Sequence, residues 1–341
     1  MPARAEASGR RATASGRAAA AVSGAASAVP AADPAARVSA PSELTEVRAA
    51  GLAVSLAGDA SAPPLVLLHG LAERRQVFAW LVPLLAPHLR LAAIDLPGFG
   101  ASPRLPGGGF GLGEVCERLA EAISELGLER PALLGHSLGG GVAVRYAAER
   151  PEALRALALL APAGLIATGA VRPSWRHPRV HALGRQVIRA ATPLIAAQPG
   201  LRQRAFARVV GDPAQIDAPL ARELLLGAAQ GRSTPAAGIE IVYAGLRDRL
   251  DALRLPTLVV WGGRDRVVSP RYGELLRDAL PDGRLLSLPE VGHVPMCEQP
   301  AAVAAAVLEL LQVAQRSPAS LGSDPPEARD RPQPEPGEPA L

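Results

Sequence analysis

The sequence predicts an α/β protein: a mostly parallel, doubly wound sheet with a helical insertion. Three observations point there. Short apolar runs alternate with helical patterns through the middle of the chain, the order that builds strand–helix–strand units. The runs are continuous rather than alternating, as suits strands covered on both faces. Finally, residues 164–252 hold no clear strand run, and a stretch that long is not an ordinary connection.

The elements follow in order. Residues 1–41 are mostly Ala, Arg, Ser, Gly and Pro; they have little to bury and read as a disordered arm. Leu65–Leu68, Leu91–Ile94 and Ala132–Leu134 read as buried strands. Glu114–Leu126 carries Val115, Leu119, Ile123 and Leu126 on one helical stripe, and Gly127 follows as its C′ residue. Leu138–Arg150 reads as a helix closed by Pro151, and Leu154–Leu160 as the next strand. The segment 164–252 is interrupted by seven prolines from Pro173 to Pro235 and reads as short helices capping the carboxyl ends of the strands. Thr257–Trp261 and Arg284–Leu288 are further strands, and Val303–Val313 is a closing helix. The core is thus 42–163 plus 253–315. Residues 316–341 are Pro- and acid-rich and read as a second disordered tail.

Composition removes several chemistries. Every one of the 36 basic residues is arginine, so no lysine can form a Schiff base or serve a P-loop. The bias fits a GC-rich coding sequence. The net charge of +4 is small, aromatic residues are 3%, and no nucleic-acid-binding motif appears, so no nucleic-acid partner is expected. Cys116 and Cys297 are too few for a disulfide framework, and Cys116 reads as a small core residue. His177 and His181 share a helical spacing but have no third ligand, so no metal or other cofactor is expected. No run of 18 apolar residues exists, so no membrane span is expected. The arm begins with arginines and an alanine-rich stretch broken by Gly, Ser and Pro. It reads as part of a cytoplasmic protein; a weak signal peptide, and hence secretion, is the alternative.

The chemistry centres on Gly135-His136-Ser137-Leu138-Gly139, a G-x-S-x-G run between a strand and a helix. That context makes a sharp turn that exposes the serine hydroxyl, with the helix N-terminus beside it. A serine needs a base. Of the six histidines, His293 follows the last strand in a loop punctuated by Gly292 and Pro295. The base needs an orienting acid, and Asp265 follows Thr257–Trp261. The order Ser137, Asp265, His293 is nucleophile, acid, base. The candidate oxyanion donors are the backbone N–H groups of Leu138, next to the serine, and of Leu71, after the first buried strand.

Five segments carry a family resemblance: His69-Gly70-Leu71, Asp95–Ser102, Gly135–Gly140, Trp261–Pro270 and Gly292–Pro300. Over about residues 43–313 the chain resembles the α/β-hydrolase superfamily, in its capped, esterase- and lipase-like serine-hydrolase branch. The resemblance implies that fold, a helical cap and cleavage of a carboxylic ester, or a related acyl bond, through an acyl-enzyme. It makes Asp95–Ser102 a structural turn, and His69 and His136 packing or loop-orienting residues. Epoxide hydrolases and haloalkane dehalogenases of this fold use an aspartate nucleophile, and dienelactone hydrolases a cysteine; here the position is serine. Carbon–carbon bond hydrolases, perhydrolases, acyltransferases and receptor-like members with little turnover remain alternatives. The implied partner is a small-molecule ester with an apolar acyl or alcohol part. The cap segment has twelve arginines against six acids, which reads as solvated helix faces or as a positive rim for anionic substrates. Its single tryptophan, Trp175, is a candidate pocket lining or a core residue.

Overall fold

The structure, a computed structural model, describes residues 44–165 and 178–316. Both expected arms lie outside these residues, apart from Arg316. So do Trp175, His177 and the first part of the expected cap.

Eight strands form one sheet in the order β1-β2-β4-β3-β5-β6-β7-β8. Six belong to runs legible in the sequence: β3 (Pro64–Leu68), β4 (Arg90–Ile94), β5 (Ala132–His136), β6 (Leu157–Leu160), β7 (Thr257–Gly262) and β8 (Gly283–Leu288). All six pair in parallel with one another. Their continuous apolar runs serve two cores at once. Val66 and Leu68 of β3 join the apolar cluster on one face, and Leu65 and Leu67 join the cluster on the other. A strand loaded on both faces has no solvent side on which to place polar residues.

Two strands escaped the sequence reading. β1 (Thr45–Ala49) and β2 (Leu52–Ala57) form an antiparallel hairpin, and β2 then pairs antiparallel with β4. Ala50 and Gly51, both at positive φ (46° and 79°), make its two-residue turn. β1 is a largely exposed edge strand, so it lacks the apolar run used as a signal. A second correction concerns β8. It was expected to be covered on both faces, but it is the other edge strand, with Arg284 and Ser287 exposed. The Leu154–Leu160 run also narrows, because pairing with β5 begins only at Leu157.

The helices α1 (Val82–Leu85), α2 (Leu112–Glu125) and α3 (Leu138–Glu149) fall between these strands. Past the end of α2, Leu128 N–H donates to Ile123 O and Gly127 N–H to Ser124 O, the pairing of a glycine-closed helix end. Between β6 and β7 lie α4 (Pro178–Ala197), α5 (Pro199–Phe206), α6 (Ala218–Gln230) and α7 (Thr234–Val242). Asp217 caps α6, its carboxylate accepting from Leu220 N–H at 2.8 Å. Among the described residues, three further helices follow β7: α8 (Arg271–Ala279), α9 (Pro295–Glu298) and α10 (Pro300–Arg316). No helix among the described residues is long and apolar enough to cross a membrane.

Candidate active site

Ser137 sits at the junction of β5 and α3 with φ 47° and ψ −110°, a conformation that non-glycine residues rarely adopt. Such strain costs of the order of 1–3 kcal/mol and persists only where its surroundings enforce it. Here the enforcement is close packing. A Cβ at Gly135 would lie 2.4 Å from Gly139 O, and one at Gly139 would lie 2.3 Å from Leu68 O. Only glycine lets β3, β5 and α3 approach this closely. Ser137 N–H donates to Leu160 O, and its own carbonyl accepts from Gly141 and Ala163, so both sides of the turn are tied down.

Asp265 follows β7, and His293 follows β8. The two are buried and meet directly: His293 Nδ1 lies 2.7 Å from Asp265 Oδ2. The other carboxylate oxygen, Oδ1, accepts the backbone N–H groups of Val267 (2.8 Å) and Val268 (2.9 Å). Both oxygens are therefore committed, and the imidazole is oriented by a fixed acceptor. His293 is also held from its backbone, where its N–H donates to Val209 O at 2.6 Å. The His293 loop packs against the end of β5: the ring of His136, the residue directly before Ser137, lies 4.9 Å from the His293 ring, tilted by 56°.

Leu138 opens α3, so its N–H has no partner within the helix. The loop bearing Leu71 leaves β3 beside this helix end, and Gly139 N–H donates to His69 O at 3.1 Å. Loops from the carboxyl ends of β3, β5, β7 and β8 thus converge, as ligand sites in open α/β sheets do.

The two buried histidines, His69 and His136, are shifted in opposite directions. His69 Nδ1 is 2.8 Å from Gly70 O, and its Nε2 accepts Leu96 N–H at 3.0 Å. One donor and one acceptor make a neutral imidazole, and burial lowers its pKa. His136 instead meets Glu73 Oε2 at 2.9 Å and His293 O at 2.7 Å. Burial alone would lower its pKa, yet the adjacent Glu73 carboxylate raises it overall. Glu73 responds in the opposite sense: burial would raise it, but His136 and the Gly70 N–H (2.6 Å) hold it below its ordinary value.

Two acids were missed in the sequence. Glu73 stands beside Arg74 and Arg75, and nothing in the local pattern announces its burial. Glu298 lies inside the Gly292–Pro300 segment. Its carboxylate accepts Gly292 N–H (3.0 and 3.1 Å) and Gly211 N–H (2.7 Å), tying the His293 loop to the segment between α5 and α6. Burial raises the Glu298 pKa, against these hydrogen bonds.

Residues 63–300 match the model of the alpha/beta hydrolase fold. The chain is 30% identical over 252 residues to the dihydrolipoyllysine-residue acetyltransferase component of the acetoin cleaving system of Pseudomonas putida, covering 71% of this chain and 61% of that one. It therefore spans less than two thirds of that relative's length. It is 30% identical over 290 residues to a pimeloyl-[acyl-carrier protein] methyl ester esterase of Neisseria meningitidis, covering 79% of this chain and 84% of the relative. Among solved structures it resembles a membrane phospholipase A described as a bacterial virulence factor, with a TM-score of 0.63, 29% identity and coverage of 80% and 86%. Sheet order, converging loops and sequence matches agree that the chain belongs to the alpha/beta hydrolase fold family.

Proposed function

We propose that the protein hydrolyses carboxylic esters through a serine acyl-enzyme. Ser137 Oγ attacks the ester carbonyl carbon while His293 Nε2 takes its proton. Asp265 holds the Nδ1–H and stabilises the imidazolium. The developing oxyanion is received by the N–H groups of Leu138 and Leu71. Collapse breaks the ester C–O bond, and His293 returns the proton to the departing alcohol. Water then repeats the sequence and releases the acid.

The observation that carries this reading is the buried 2.7 Å Asp265–His293 pair beside a serine on a strained, glycine-enforced turn. The relatives named as an esterase and a phospholipase support ester chemistry, and the esterase makes methyl esters a sensible member of a first panel. We take the substrate to be a small ester with an apolar acyl or alcohol part. Residues 164–252 act as a cap on this reading, a role supported by contacts of Val209, Gly211 and Ser233 with the core. Residues 1–41 and 316–341 act as dispensable arms.

The test is labelling with a fluorophosphonate, followed by turnover of p-nitrophenyl and methyl esters. A single adduct on Ser137 is expected, with ester turnover falling by roughly 10⁴–10⁶ in Ser137→Ala. An adduct at another serine, or turnover retained in that variant, overturns the assignment.

A further inference from the structure

The buried Glu73–His136 pair has no part in the proton transfers above, yet it touches the loops that carry His293 and Leu71. His136 is the last residue of β5 and directly precedes Ser137. Its two ring nitrogens face two acceptors, the Glu73 carboxylate and the His293 carbonyl oxygen. A neutral imidazole carries one N–H and can satisfy only one of them; an imidazolium carries two and satisfies both. Glu73 in turn accepts the Gly70 N–H, directly before Leu71. A Cβ at Gly70 would lie 2.8 Å from His136 Nδ1, so loop and ring are in close contact.

We infer that His136 is a positioning residue that stands as an imidazolium, paired with Glu73, and fixes the His293 loop and the Gly70–Leu71 loop against Ser137. The inference deepens the proposed ester hydrolysis and rests on it for its kinetic consequence, though not for the charge state itself. The ion pair works as a three-way clamp. One N–H holds the backbone of the base, the other holds the carboxylate, and the carboxylate holds the loop of the oxyanion donor. Groups that act electrostatically on His136 or lie against it are Glu73, His69, His293 and Asp265. Of these, His69 is held neutral by its own partners, and Asp265 is committed to His293 and the turn at 267–268.

Glu73→Gln is the discriminating variant. An amide oxygen can accept from both Gly70 and His136, as Glu73 Oε2 does, but offers no charge to hold the imidazolium. A neutral His136 must then leave one of its two acceptors without a donor.

The experiment is ¹⁵N NMR of the full chain with labelled histidine, His136 being assigned by its loss in His136→Asn, combined with ester kinetics. Both His136 ring nitrogens are expected to show the imidazolium pattern from pH 5.5 to 7, and Glu73→Gln to convert it to the neutral pattern. In that variant kcat should fall about 10–100-fold, the scale of a small misplacement of catalytic groups, with KM within about twofold. Glu73→Asp should recover part of the loss. A neutral His136 in the parent at pH 7 overturns the inference, and so does a Glu73→Gln protein that loses the charge but keeps its kcat. Should Glu73→Gln not fold, the charge state in the parent alone decides. Absence of a Ser137 adduct with the imidazolium present would defeat the proposed reaction and leave the charge state standing.

Discussion

Asp265 uses its two carboxylate oxygens differently. One is anchored by backbone N–H groups of its own turn, which aims the other at His293. An asparagine can keep the anchor, but the amide group then facing His293 is a donor. It would favour the tautomer with the proton on Nε2, where the serine's proton must go. Asp265→Asn should therefore keep the fold and lose about 10⁴ in kcat, as in the corresponding triad change of other serine hydrolases. The measurement is kcat/KM on p-nitrophenyl acetate. A loss under about tenfold, some 1.4 kcal/mol of transition-state stabilisation, would remove Asp265 from the role. Ser137, His293 and Asp265 were legible because each follows a strand run and carries a turn glycine nearby. Glu73 was illegible because its burial depends on β5 delivering His136 from 63 positions away.

At the scale of elements, the hairpin β1–β2 pairs with the body through β2 and β4, and one buried arginine adds a side-chain tie to that junction. Arg75 is buried, pairs with Asp95 at the end of β4 and Glu46 of β1, and donates from Nε to Ser55 Oγ of β2 at 2.7 Å. Asp95 also accepts Arg75 N–H (2.7 Å) and Ala101 N–H (2.8 Å). This explains physically why the Asp95–Ser102 segment reads as structural: its carboxylate organises the turn and the hairpin junction. Breaking a buried pair by neutralising one partner typically costs about 3–5 kcal/mol. Asp95→Asn should lower the urea midpoint accordingly, with little change in the slope; an unchanged midpoint would mean that the network is incidental. The six parallel strands were legible as apolar runs. The hairpin was not, since an exposed edge strand such as Thr45–Ala49 carries no such run.

For the whole molecule, the Glu73–His136 pair makes stability depend on pH in a defined sense. Folding lowers the Glu73 pKa from its ordinary 4.5, so that contribution is present above 4.5 and is lost as pH falls through the folded value. Folding raises the His136 pKa from 6.5, so that contribution is complete below 6.5 and is lost as pH rises through the folded value. Both act fully between pH 4.5 and 6.5. The stability difference between the parent and Glu73→Gln, from urea titrations, should be greatest near pH 5.5 and shrink on the alkaline side. A difference that does not change from pH 5.5 to 9 would count against the pair.

The backbone of Ser137 has a consequence for how this protein can change. At φ 47° and ψ −110° the residue holds the mirror image of an ordinary extended conformation, which glycine enters without strain. Ser137→Gly should thus be more stable than Ser137→Ala, which keeps the strained Cβ, by about 1 kcal/mol. Selection for heat resistance alone would then carry the chain toward glycine and, with Ser137 as the proposed nucleophile, silence it. On the proposed reaction, a lineage that retains serine here is held by its chemistry, against a standing thermodynamic incentive to lose it.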